Sequence, residues 1–216
     1  MSALVWDATG ERLFETGVDQ GVLYVSNGSG GYNTGVVWNG LTGVTNSPDG
    51  AEPTDLWADN IKYATLRSAE TFGATIEAYT YPDEFAECDG SATVATGVYI
   101  GQQTRKTFGF CYRTKVGSDT DTSATKYKIH VIYNATASPS ERAYETVNDS
   151  PDAITFSWEI TTTPVNVTGY KPTSEIVINV WELDSTKKTA LENMLYGSQN
   201  SDATLPDPDT LLGLVS

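Results

Sequence analysis

Short runs of alternating or β-branched residues recur at 11–15, 21–26, 36–38, 61–66, 74–81, 107–115, 127–133, 154–162 and 175–181, separated by clusters of Gly, Pro, Asn, Asp and Ser. A period of two sends successive side chains to opposite faces, so each run can bury one side and wet the other. With turn residues between them, such runs read as antiparallel strands. The chain is therefore expected to be mainly β. One helix stands out near the C-terminus, where Asp184 can cap STKKTALENMLY and Gly197 can end it, with Leu191, Met194 and Leu195 on one apolar face. A short helical turn is expected at 82–87, opened by Pro82 with Asp83 and Glu84 in its first turn.

Two segments resist assignment to strands. Residues 39–55 (NGLTGVTNSPDGAEPTD) read as a loop too long for a hairpin connection, and loops of that length usually contact something. After Gly197, SQNSDATLPDPD reads as an extended linker, and the apolar TLLGLV behind it needs a surface to dock on. The expected organisation is one β-rich domain over 1–197 and a C-terminal arm over 198–216. Leu211, Leu212 and Leu214 would dock the arm on a neighbouring subunit.

Charge narrows the partners. The 216 residues carry 13 Lys plus Arg against 28 Asp plus Glu, a net charge of −15, which argues against a grip on DNA, RNA or anionic membranes. The imbalance is uneven, because residues 105–128 hold six bases and two acids within an otherwise acidic chain. Such a basic island suits head-to-tail stacking, or it is a solvated hairpin tip. The N-terminus MSALVWDATGERLF lacks the basic and then apolar run of a signal peptide, and no stretch reaches the ~18 apolar residues of a membrane span. A soluble protein made in the cytoplasm is the expectation.

Catalytic patterns are sparse. His130 is the one histidine and lies in the alternation YKIHVIY, away from any nucleophile motif. Cys88 and Cys111 lack CxxC spacing and read as buried reduced thiols. Glu77, Glu84 and Glu159 are the carboxylates a glycoside hydrolase would draw on, but a chain with 28 acids offers many accidental pairs. Residues 83–89 (DEFAECD) lack the Gly and ligand spacing of a calcium loop, and neither NGSGG nor NGLTG leads into the Lys-Ser/Thr of a phosphate loop. No enzyme, cofactor or metal is expected.

Five segments carry a resemblance: LVWDATGERLFETGVDQGVLY (4–24), WNGLTGVTNSPDGAEPTDLWADNIKY (38–63), FGATIEAYTYPDEFAECDG (72–90), ASPSERAYETVNDSPDAITFSWEITTTPV (137–165) and GYKPTSEIVI (169–178). Together they resemble the major tail proteins of long-tailed, non-contractile bacteriophages. The resemblance implies a β-sandwich or barrel with a flanking helix and an extended loop, six copies to a ring, and rings stacked into the tail tube of the virion. Other tail proteins would be its partners, and DNA would pass through the lumen without specific binding. On that reading the strands flanking the long loop, 36–38 and 59–67, line the tube wall with 74–81. Thr75, Glu77 and Tyr79 share the face that would meet the lumen, and Thr45, Asn46, Pro48, Asp49 and Glu52 would make contacts between rings. The competing expectation is a carbohydrate-binding β-sandwich of a surface or fibre protein, using exposed Trp and Tyr as a sugar platform.

Overall fold

The computed structural model describes residues 3–144, 146 and 153–216. Part of the 137–165 segment, at 145 and 147–152, thus lies outside the described residues. In chain order the strands are β1 (Leu13–Val25), β2 (Val36–Trp38), β3 (Leu41–Asn46), β4 (Asp49–Gly50), β5 (Pro53–Ala58), β6 (Ile61–Arg67), β7 (Glu70–Thr71) and β8 (Gly73–Ala78). A 3-10 turn at Asp83–Glu87 follows, then β9 (Ala92–Ala95), β10 (Val98–Ile100), β11 (Phe108–Ser118), β12 (Lys126–Ala137), β13 (Phe156–Thr162) and β14 (Glu175–Asn179). Two helices, α1 (Ser185–Tyr196) and α2 (Pro208–Val215), end the chain. The fold is mainly β, and its sheets are open, so no barrel closes within one copy.

The principal sheet runs β2-β1-β11-β12-β13-β8-β3, with β14 also paired to β12. β12 serves two partners along one edge: Lys128–Ile132 pair with β14, and Ala135–Ala137 pair with β13. The change falls at Asn134, held in the left-handed region at φ 50°. Asn tolerates that conformation better than most residues, so the strand can redirect its edge without breaking.

Alternation divides the buried residues into two cores. Leu23, Phe110, Ile132, Trp158, Ile160, Ile76 and Ala74 gather in one buried cluster. Phe85 enters this core from the 3-10 turn and is fully buried, with its ring 4.6 Å from Trp38, 5.2 Å from Trp158 and 5.5 Å from Phe108. Trp38 completes the seal by donating its indole N–H to the Thr80 carbonyl at 2.9 Å. Truncating a buried aromatic of this kind costs about 3–5 kcal/mol, so the turn is fastened to the sheet.

Val22, Tyr24, Cys111, Ile129, Val131 and Tyr133 take the intervening positions and face the helices. There Leu191 and Leu195 of α1 pack beside Leu211 of α2. Asp184 caps α1 by accepting from the Thr186 and Lys187 amides, both at 2.9 Å. The tail after Gly197 is neither extended nor free of its own subunit. Thr204 N donates to Met194 O and Gly35 N donates to Ala203 O, both at 2.8 Å, and Leu205 and Leu211 are buried. Asp207 caps α2 through Thr210 N at 3.0 Å, with Pro208 in the first turn. An amphipathic helix seeks the nearest apolar surface, and α1 is close enough to supply it. The docking leucines therefore pack inward: Leu211 is buried, and Leu212 and Leu214 are half-buried.

Candidate assembly surfaces

The segment expected to be one long loop is instead strand, stem and the start of a projecting ribbon. β3 joins the principal sheet along β8, with Thr45 opposite Thr75 and Asn46 opposite Ala74. β4 and β7 then form a short stem, and β5 and β6 extend beyond it as a separate two-stranded ribbon. Asp59 and Asn60 make its turn at φ 52° and 64°. Both central residues at positive φ form the tight turn that matches strand twist, and Asp and Asn are among the residues that tolerate it. In the stem Gly50 sits at φ 89°, where an added Cβ would lie 2.6 Å from the Ala69 carbonyl oxygen. Only glycine fits there.

The ribbon has charged and apolar positions. Asp55 accepts from Lys62 Nζ at 2.7 Å and from Thr65 Oγ1 at 2.8 Å, and these bonds hold its carboxyl below the usual range. Leu56, Trp57, Ile61, Tyr63 and Leu66 stand in solvent, with Trp57 69% and Tyr63 72% exposed. Two strands with no sheet or helix behind them are marginal in water, and apolar side chains on them mark a contact surface. Placing 59–67 in a tube wall is therefore corrected, because most of that stretch is the ribbon's turn and second strand. Thr45 and Asn46 lie on β3, Pro48 in the link to the stem, Asp49 in the stem, and Glu52 beside it, all exposed. Asn46 already donates to Glu175 Oε1 at 3.2 Å. Leu56 and Trp57 on β5 were missed because 53–58 does not alternate, whereas the alternation at 61–66 marked the second strand but not its exposure.

Strand β8 shows the alternation its sequence implies. Ala74, Ile76 and Ala78 are fully buried, whereas Thr75 is half-buried and Glu77 and Tyr79 are exposed. Register brings neighbours to the same outer face, with Glu77 opposite Ser157 and Gly43, and Thr75 opposite Glu159 and Thr45. Thr161 continues the row opposite Gly73. The result is a polar patch of Thr, Ser, Gly and Glu on β3, β8 and β13, with no Lys or Arg at these positions. Glu159 belongs to it beside Glu77, which sequence alone could not show because strand pairing is non-local.

The basic island is largely answered within the chain. Arg113 makes a two-pronged bond to Asp19 at 2.6 and 2.9 Å, and Lys115 approaches the same carboxylate at 3.5 Å. The Arg113 hydrogen bond holds the Asp19 carboxyl below its ordinary range against the opposing effect of burial. Lys128 bonds Glu15, Lys106 lies 2.5 Å from Glu87, and Arg105 donates to the Asp89 carbonyl at 3.0 Å. Acids from β1 and the 3-10 turn thus take up charge that sequence order left open to stacking or to a solvated hairpin tip.

His130 lies against the Tyr112 ring at 4.6 Å and meets Thr114 Oγ1 at 3.0 Å and Glu175 Oε1 at 3.3 Å. Cys88 and Cys111 are buried, and burial pushes both thiols up to about 12. A thiol so perturbed stays protonated at neutral pH and is a poor nucleophile. Among the described residues no three His, Cys, Asp or Glu gather as metal ligands, and no helix is long and apolar enough to cross a membrane. Trp38 and Trp158 are spent in the core, so neither can serve a sugar platform.

Comparison with curated proteins finds no match. Among solved structures, similar chains occur in the cryo-EM structure of the anti-feeding prophage (AFP) baseplate, 6-fold symmetrised, at 8% identity and TM-score 0.37, covering 83% of this chain and 98% of that one. Another occurs in the PVC sheath–tube complex of an extracellular contractile injection system in the extended state, at 10% identity and TM-score 0.32, covering 74% of this chain and 88% of that one. The phage tail tube protein family matches residues 15–210. That match spans the sheet, the projecting ribbon and both helices, and the chain belongs to the phage tail tube protein family, a structural component of the virion tail.

Proposed function

We propose that this chain is the repeating subunit of a tail tube, with six copies closing a ring and rings stacking into the conduit through which the genome leaves. The observation that carries this reading is the bare polar face of β3, β8 and β13 beside unpaired sheet edges. β3 pairs only with β8, and residues 13–20 of β1 pair only with β11 among the described residues. Open edges invite pairing with another copy, and a closed ring removes them. Joined in this way, the Glu77 and Glu159 face can line a lumen. Carboxylates there repel DNA phosphates, whereas a basic lining would hold the duplex through counterion release.

In this reading Thr75, Glu77 and Tyr79 meet the lumen. The 45–52 segment and the ribbon above it bridge rings, and the 198–216 segment is a strap on the 1–197 domain. Assembly takes place in the bacterial cytoplasm with other tail proteins, and the chain performs no catalysis. Negative-stain microscopy of concentrated protein tests the reading. Six-fold rings or tubes of constant diameter support it; discrete monomers at all concentrations refute it.

A further inference from the structure

The projecting β5–β6 ribbon has a counterpart beyond the other end of β8. β3 ends and β8 begins where the ribbon's stem leaves the sheet, with Ser47 N donating to Gly73 O at 2.8 Å. At its far end β8 finishes at Ala78, opposite Leu41 and Phe156, and leads into the 3-10 turn. From that turn springs a second free-standing ribbon, β9–β10. Its base is tied down by Ser91 N to Ala86 O at 2.8 Å, Gln103 N to Gly90 O at 2.9 Å and Lys106 N to Glu87 O at 3.0 Å. The buried Phe85 fastens that base to the core. The two ribbons therefore leave opposite ends of one ladder.

Both ribbons have the same unmet needs. β9–β10 exposes Val94 at 63%, Val98 at 52%, Tyr99 at 48% and Ile100 at 46%, and residues 91–104 contain no charged side chain. The β5–β6 ribbon exposes Leu56, Trp57, Ile61, Tyr63 and Leu66, while its Asp55 and Lys62 neutralise each other. Neither ribbon pairs with a further strand among the described residues, so each keeps two open edges. An uncharged receiver can cover an apolar ribbon without burying an unpaired charge. Contact of one ribbon with its own equivalent would be two-fold and would stop at a pair, whereas contact between different ribbons at opposite ends propagates.

We propose that β9–β10 is the receptor for the β5–β6 ribbon of the next copy, so that stacking proceeds head to tail through paired ribbons. This rests on the reading that copies stack. It goes further by naming both halves of the contact and its occupant, a second copy of this chain.

Two disabled proteins test it. In the first, Trp57→Glu and Tyr63→Glu spoil the β5–β6 ribbon; in the second, Val98→Glu and Ile100→Glu spoil the receptor. All four positions are exposed, and near-UV circular dichroism matching wild type verifies each fold. Neither protein should extend by itself. Mixed in equal amounts, they should form a finite complex of twice the mass each reaches alone, because the first retains a sound receptor and the second a sound ribbon. Sedimentation velocity reads the doubling. A mixture that stays at the size of its components, or a single variant that extends as wild type does, overturns the pairing.

Cross-linking provides a second measurement that does not depend on disruption. Native Cys88 and Cys111 are buried. Trp57→Cys with Tyr99→Cys should give a ladder of disulfide-linked multimers on oxidation, and Trp57→Cys with Tyr170→Cys should not. Equal ladders from both would overturn the assignment. Failure of the tail-tube reading is seen separately, as wild type that forms neither rings nor tubes, and mass doubling in the mixture can still be read from single subunits.

Discussion

Leu211→Ala tests whether the C-terminal strap belongs to its own subunit. Leu211 is fully buried, and its neighbours Leu191 and Leu195 are fully buried too. Removing a leucine side chain from such a site costs about 2–5 kcal/mol when the surroundings cannot collapse. Because α2 packs on α1 and donates no strand to the sheet, it can undock locally, so the penalty cannot exceed the free energy that docks it; beyond that, the helix lets go. The loss should therefore appear locally. The amides to follow are those of Leu211 and Ser216, which donate to Asp207 O and Leu212 O at 3.0 Å. In the wild-type monomer they should be protected from hydrogen exchange. In the variant their protection should fall at least ~30-fold, the equivalent of about 2 kcal/mol, while amides of β11 and β12 keep theirs. Wild-type α2 amides that exchange at the rate of an unfolded peptide would refute the self-docked strap. The tail would then be an arm that awaits a neighbour.

Four further outcomes follow from the same geometry. Glu77→Lys alters an exposed position and should change fold stability by under about 0.5 kcal/mol. In a six-membered ring it shifts the lumen by about twelve charge units, so genome ejection should slow at low salt and recover at high salt; unchanged ejection at low salt would place Glu77 elsewhere. Asp19→Asn removes a carboxylate that the Arg113 hydrogen bond holds below its ordinary range. A depressed folded value stabilises above the unfolded pKa and is lost as pH falls through the folded one. The urea-midpoint difference from wild type should thus be constant above about pH 5 and shrink below pH 4, whereas a difference that grows on acidification would refute the pairing. Deleting 53–67 and joining the stem directly should leave a folded subunit that does not elongate, and tubes of normal length would exclude a stacking role for the ribbon. Deleting 40–54 should instead unfold the protein, because it removes β3 from the sheet.

Part of this fold is written in local chemistry along the chain. Period-two alternation marked most strands of the principal sheet, and Asp184 and Gly197 bounded α1 with its Leu191 and Leu195 face. Alternation also placed Thr75, Glu77 and Tyr79 opposite the buried Ala74, Ile76 and Ala78. These features need only near neighbours along the chain. The β5–β6 ribbon was half legible: its second strand alternates, but Gly, Pro and Asn in 39–55 hid β3 and the stem, whose pairing partners at 70–78 come later. Only the tertiary structure could bring Glu159 beside Thr75, set Asp19 against Arg113 across 94 residues, or turn a Pro- and Asp-rich tail back onto α1. It also decided that the two apolar ribbons stand at opposite ends of one ladder. Each of these depends on which strands pair and in what register, and that choice is made by burying two cores at once, a constraint that no local window of sequence contains.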